Sequence, residues 1–162
     1  MPAITNCLWF DQNGEEAAEY YCSIFPRSEI TAISRYGDGG PFPAGTALTV
    51  AFELDGRAFT ALNGGPMFTF NEAVSFQIDC ADQAEVDYYW EKLGDGGRES
   101  QCGWIQDKFG LWWQVVPTVL PELLGGDGEA AGRVAQVFMQ MSKFDIAALE
   151  AAYRGEINPR GE

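Results

Sequence analysis

Three carboxamides and one indole are the side chains of this sequence whose types and spacing could converge on a ligand: Asn63, Gln77, Gln114 and Trp9. Amides donate and accept hydrogen bonds without carrying charge, so such a group would orient a polar molecule rather than attack it. The alternative is that they are interior amides satisfying one another. A metal at their meeting point would need imidazole, carboxylate or thiolate ligands. The chain has no histidine, and amide oxygens alone are too weak to hold zinc or iron. Nucleophilic chemistry meets a similar obstacle, because Cys7 and Cys102 have no histidine to draw off a proton; a general base would have to be Asp11, Asp79 or an unusual Lys or Tyr. Arg35 could hold an acidic group, or lie solvated at the end of its strand.

These residues depend on strands for their direction, and the stretch from Cys102 to Pro117 is the richest in strand signals. It reads as a hairpin, with polar turn residues and Gly110 separating two runs of aromatic and β-branched residues. Trp104, Trp112 and Trp113 need walls to pack against and partners for their N–H groups, which a core or a concave site would supply.

Earlier in the chain, Ala3–Phe10 reads as a strand. Asn13 with Glu16 offers a capping box for a helix ending at Pro26. Strands follow at about Glu29–Tyr36, Ala47–Leu54 and Arg57–Asn63, with Asp55-Gly56 a strong hairpin signal. From residue 73 the order repeats: a strand to Cys80, a helix capped by Asp82 with Glu85, then short strands to Pro117. Asp11 to Asp79 is an offset of 68 and so is Tyr20-Tyr21 to Tyr88-Tyr89, while Asn63 to Gln114 and Pro66 to Pro117 are both 51. Two constant offsets predict a duplicated βαβββ unit, residues 3–66 and 73–117, shortened by 17 residues in its second copy. By those offsets Trp9 corresponds to Gln77 and Asn63 to Gln114. If the units pair about a pseudo-twofold axis, the four meet in one cleft, with Cys7 beside Trp9.

The first copy alone carries the loop Gly37–Gly45, which fits neither a P-loop nor GxGxxG; it is a lid or a plain connection. Beyond Pro117, a Gly125–Gly128 linker leads to helices over about Glu129–Met141 and from Asp145 to Gly155. Their apolar faces must cover the chain's own sheet or a partner subunit. The tail from Ile157 should be loose.

At 162 residues the whole is expected to be a single α+β domain. Its net charge of -14 repels nucleic acid and anionic membranes. No signal peptide or apolar span is evident, and the four cysteines lack CxxC spacing, so a cytoplasmic protein with reduced thiols is expected.

The segments Leu8-Trp9-Phe10-Asp11, Leu62-Asn63-Gly64-Gly65-Pro66 with Phe68, Phe70 and Glu72, Ser75-Phe76, Cys102-Gly103-Trp104 with Asp107, Trp113-Gln114, and Lys143 through Glu150 resemble the PhnB-like branch of the vicinal oxygen chelate superfamily. That superfamily also holds glyoxalase I, extradiol dioxygenases and bleomycin resistance proteins. The resemblance implies paired βαβββ modules forming a cup, usually in a homodimer, with the ligand inside. Superfamily metal ligands would fall on Trp9, Asn63, Gln77 and Gln114, none of them anionic, so no cofactor is expected. A metal-free small-molecule binding protein is the leading expectation, with Trp9, Asn63, Gln77, Trp104, Trp112, Gln114, Cys7 and Arg35 as ligand-binding candidates. Sequestration or resistance would suit such a protein. One alternative is a lyase, an isomerase or a methyltransferase, since the branch is often labelled 3-demethylubiquinone 3-methyltransferase; yet no glycine-rich strand-to-helix turn for S-adenosylmethionine is present. The other is an interaction module acting through the C-terminal helices.

Overall fold

A computed structural model describes residues 1–156, and the expected loose tail from Ile157 lies outside the described residues. The chain divides into two compact units, Met1–Phe70 and Asn71–Glu162.

The first unit is a four-stranded sheet with one helix: β1 (Asn6–Phe10), α1 (Gly14–Ile24), β2 (Glu29–Arg35), β3 (Ala47–Leu54) and β4 (Arg57–Asn63). Its strand order is β1-β4-β3-β2, with β1 parallel to β4 and the rest antiparallel. Strands β3 and β4 fall where the alternation places them, and Asp55 and Gly56 both adopt positive φ, as a two-residue hairpin turn requires. Alternation puts Leu8, Phe10, Val50, Phe52, Phe59 and Ala61 on one buried face. Against it α1 lays Ala17, Ala18, Tyr21 and Ile24, with Tyr21 stacked on Phe52 at 6.4 Å. Each of the larger apolar side chains among them, such as Leu8, Phe10, Phe52 and Ile24, contributes about 1.5–3 kcal/mol on burial.

The expected Asn13 capping box does not form. Asn13 precedes α1 but its side chain makes no capping bond. The Gly14 N–H is taken instead by Asn63 Oδ1 at 2.8 Å, from the end of β4. Gly14 suits that contact, because a Cβ there would stand 2.7 Å from the same oxygen.

The second unit repeats the plan with β5 (Phe76–Cys80), α2 (Gln83–Gly94), β6 (Arg98–Glu99), β7 (Trp104–Gln106) and β8 (Trp112–Pro117), in the order β5-β8-β7-β6. Both units are therefore βαβββ modules, as the repeat implies. Here the expected cap does form: Asp82 accepts from the Glu85 N–H, and Glu85 reaches back to the N–H of Ala81, one residue before the cap.

Residue equivalences read from the two offsets need correction. The buried helix residues Ala17, Tyr21 and Ile24 correspond to Val86, Trp90 and Leu93, so Tyr21 matches Trp90 and not Tyr89. In the parallel strand pairs, Trp9 lies opposite Leu62, 53 positions on, and Gln77 lies opposite Gln114, 37 positions on. The second copy is shorter by 16 residues at this register, not 17. One residue of slip exchanges the two faces of a strand.

Three helices end the chain: α3 (Val119–Leu124), which the sequence reading did not foresee, α4 (Gly128–Phe138) and α5 (Ile146–Tyr153). Asp127 and Asp145 cap the last two. Val134, Phe144, Leu149 and Ala152 form one cluster with Val116 of β8 and Leu120 of α3. Backbone N–H groups of Cys102 and Gly103 donate to the carbonyls of Met141 and Ser142, and Gln83 of α2 bridges the backbone of Phe144 and Ile146. The C-terminal helices thus cover the second module of their own chain. Gly103 permits this: at φ +78, a Cβ would lie 2.5 Å from the Phe144 ring.

Candidate functional site

In the first unit the candidate residues separate. Trp9 pairs with Leu62 and Cys7 with Thr60 on the face turned away from α1, whereas Asn63 pairs with Phe10 on the face packed against it. The expectation that Trp9 and Asn63 share a face is corrected by that register. Asn63 is 2% exposed; its oxygen accepts from Gly14, and its Nδ2 donates to the Ala47 carbonyl at 3.0 Å. Trp9 donates its N–H to the Gly65 carbonyl at 2.9 Å and lays its ring over Gly64, where a Cβ would lie 2.4 Å from it. Phe68 meets the same ring edge-on at 4.9 Å.

Arg35 is engaged as well. Its guanidinium takes both carboxylate oxygens of Glu15, at 2.9 and 3.0 Å, and the Gly45 carbonyl, fastening the long loop to the first turn of α1. The pair favours both charged forms, lowering the Glu15 pKa and raising that of Arg35. Cys7 is exposed. Burial among the acids Glu85, Asp79 and Asp82 pushes the Cys80 thiol up to about 12, leaving it a protonated core group.

The second unit gathers what the first disperses. Gln77 lies opposite Gln114, which lies opposite Trp104, and Trp112 lies opposite Gln106, which lies opposite Arg98. All six share the face turned away from α2, in two rows a dipeptide step apart, about 6.6 Å. Trp104 and Trp112 meet edge-on at 6.3 Å. The Gln77 Nε2 donates to Asp79 Oδ1 at 2.8 Å, and the Gln114 Nε2 donates to Ser75 Oγ at 2.9 Å. With their NH₂ groups so held, both glutamines keep their carbonyl oxygens without a hydrogen bond among the described residues.

Trp113, one step from Trp112, points the other way and is core. Its N–H donates to the Asp107 carboxylate at 2.8 Å, which also accepts the N–H groups of Phe109 and Leu111. Asp107, 3% exposed, is the organiser of the hairpin turn. The three tryptophans are thus divided between the two faces of the sheet, and Trp112 is as buried as Trp113, at 3% exposed. Arg98 was missed as a member of that face because β6 is two residues long, too little alternation to read.

Residues 2–116 match the family described as 3-demethylubiquinone-9 3-methyltransferase. The chain belongs to that family. A PhnB protein from Bacillus cereus, described as a putative 3-demethylubiquinone-9 3-methyltransferase, is 33% identical over 72% of this chain and 100% of its own, with a TM-score of 0.67. At the level of fold alone, a Pseudomonas aeruginosa protein follows at 21% identity over 72% of this chain and 98% of its own, TM-score 0.59. The fosfomycin resistance protein FosX from Listeria monocytogenes, complexed with Mn(II) and sulfate, shares the fold at 16% identity over 76% of this chain and 94% of its own, TM-score 0.51. No curated protein matches. The family is PhnB-like, and its members here have the vicinal oxygen chelate fold.

Proposed function

We propose that this family member is a metal-independent small-molecule binding protein whose ligand is recognised on the second module, by Gln77, Gln114, Trp104 and Trp112. The observation carrying this reading is the pairing of Gln77 with Gln114 beside two indoles, with both amide oxygens left to accept hydrogen bonds. Two flat apolar walls with a few convergent polar groups are what small-molecule sites consist of. Trp9 and Cys7 stand on the corresponding face of the first module. They are secondary candidates, while Asn63 and Arg35 are occupied by the fold.

The donor set does not fit a catalytic metal. The candidate positions offer an indole and neutral amides, Asp79 is already accepting from Gln77, and no group of three or more Cys, Asp or Glu suited to a metal occurs among the described residues. The methyl-transfer activity in the family's name likewise lacks a seat for S-adenosylmethionine. The turns into α1 and α2 carry one glycine between them, at Gly14, and its N–H is held by Asn63.

Elemental analysis of the purified protein is expected to find less than stoichiometric Zn, Ni, Mn and Fe, and a full equivalent of any would overturn the metal-free reading. Calorimetry with a compound panel is expected to find a ligand whose affinity falls about tenfold, or about 1.4 kcal/mol, in Gln77→Ala and in Gln114→Ala. Unchanged affinity in both would refute the assignment of the face. Homodimerisation belongs to the same proposal and is read from the molar mass in light scattering. The interaction-module alternative is disfavoured, since the apolar faces of α4 and α5 are already spent on Val116 and Leu120.

A further inference from the structure

We propose that the ligand of this face is a planar organic monoacid, its carboxylate held by Arg98 and by the indole N–H of Trp112. This rests on the reading that the face binds a small molecule and adds the molecule's charge and shape.

In a chain with twenty-four acidic and ten basic residues, a cation without a counterion is unusual. Arg27, Arg35, Arg133 and Arg154 are each ion-paired. Arg98 makes no ion pair among the described residues; its guanidinium stands 5.3 Å over the Trp112 ring instead. Arg57 is also unpaired there, but it has no aromatic ring beneath it. Stacking on an indole fixes a guanidinium in place and leaves its fork of N–H donors available to an oxyanion.

Trp112 is the second, independent observation. It is 3% exposed, yet its N–H has no hydrogen-bond partner among the described residues. Among the described residues no fully buried side-chain nitrogen or oxygen lacks a partner, so this N–H must reach the small part of the residue left open. Trp104, whose ring meets that of Trp112 edge-on, also has an N–H with no partner among the described residues. A cation and two indole donors on one sheet face lack only an acceptor, and a carboxylate supplies it with charge-assisted bonds. The flat walls select a planar body, and the amide oxygens of Gln77 and Gln114 suit a hydroxyl or N–H carried further along it. The net charge of -14 and Asp79 on the same face weigh against a dianion.

Calorimetry on the full chain tests this with benzoate and indole-3-acetate against benzamide, indole-3-acetamide, tryptamine and inorganic phosphate. The acids are expected to bind at least tenfold more tightly than their amides and than tryptamine, with phosphate weaker still. Arg98→Gln should reduce the acids to the level of the amides at an unchanged thermal midpoint, and Arg98→Lys should keep part of the preference. Trp112→Phe, which retains a ring, should weaken the acids alone. Amides or tryptamine binding as tightly as the acids, or acid affinity unaltered by Arg98→Gln, would overturn the charge assignment and leave ligand binding by this face standing. Phosphate binding in preference to the acids would overturn the carboxylate assignment in the same way. Were Gln77→Ala and Gln114→Ala also without effect on the compounds that bind, the proposed function itself would fall. If Arg98→Gln unfolds, the acid-to-amide ratio in the unaltered chain and in Arg98→Lys decides.

Discussion

The first module turns its strand-end amide inward and the second turns its paired amides outward. Asn63 ends β4 beneath α1, where its oxygen caps the helix and its nitrogen reaches the Ala47 carbonyl. Gln77 and Gln114 project from the other side of their sheet and keep their oxygens for something else. Two modules of one plan thus carry the same side-chain chemistry on opposite faces, in the first holding the fold and in the second, under the proposed function, accepting from a ligand. A single residue of strand register decides which.

The largest break in that comparison should come from Asn63→Leu. It leaves the Gly14 N–H and the Ala47 carbonyl buried without a partner, which should cost about 2–4 kcal/mol in urea unfolding. Gln114→Ala should cost less than about 1 kcal/mol by the same measurement. The two adjacent tryptophans sharpen the contrast within one strand. Trp113→Phe removes a buried donor from Asp107 and should cost about 1–2 kcal/mol, whereas Trp112→Phe, which breaks no hydrogen bond among the described residues, should cost clearly less.

The thiols give a chemical version of the test. At pH 8 iodoacetamide should alkylate exposed Cys7 readily and spare Cys80, whose thiol stays protonated up to about 12. Mass spectrometry of tryptic peptides reads both.

The smallest effect concerns Glu15. Its pKa is lowered in the fold by Arg35, so its contribution to stability is present above the ordinary value of 4.5 and is lost as pH falls through the depressed one. Both groups are largely solvated, so Glu15→Gln should flatten the acid limb of the stability profile only slightly.

Most of the scaffold was legible because period-2 alternation and turn chemistry are local. Ala47–Leu54 and Arg57–Asn63 emerge as read, and so does the Asp55-Gly56 turn. The Asn13 cap was not legible, because its rival for the Gly14 N–H comes from a residue 49 positions away. Helix α3 was hidden by its shortness and by Pro121, which the first turn of a helix tolerates. The candidate site was half visible. Trp104, Trp112 and Gln114 share a face by alternation and hairpin pairing, but the face of Asn63 follows from a parallel pairing with β1 that no local pattern specifies. Matching isolated residues at a constant offset found the duplication and missed its register by one. That error put Asn63 on the face of Trp9.

Side-chain amide spectra of ¹⁵N-labelled protein, recorded while titrating the tightest-binding acid of the panel, test the central contrast most directly. The NH₂ signals of Gln77 and Gln114 should shift to saturation while those of Asn63 stay in place. Movement of the Asn63 signals with both glutamines stationary would contradict the assignment of recognition to the second module.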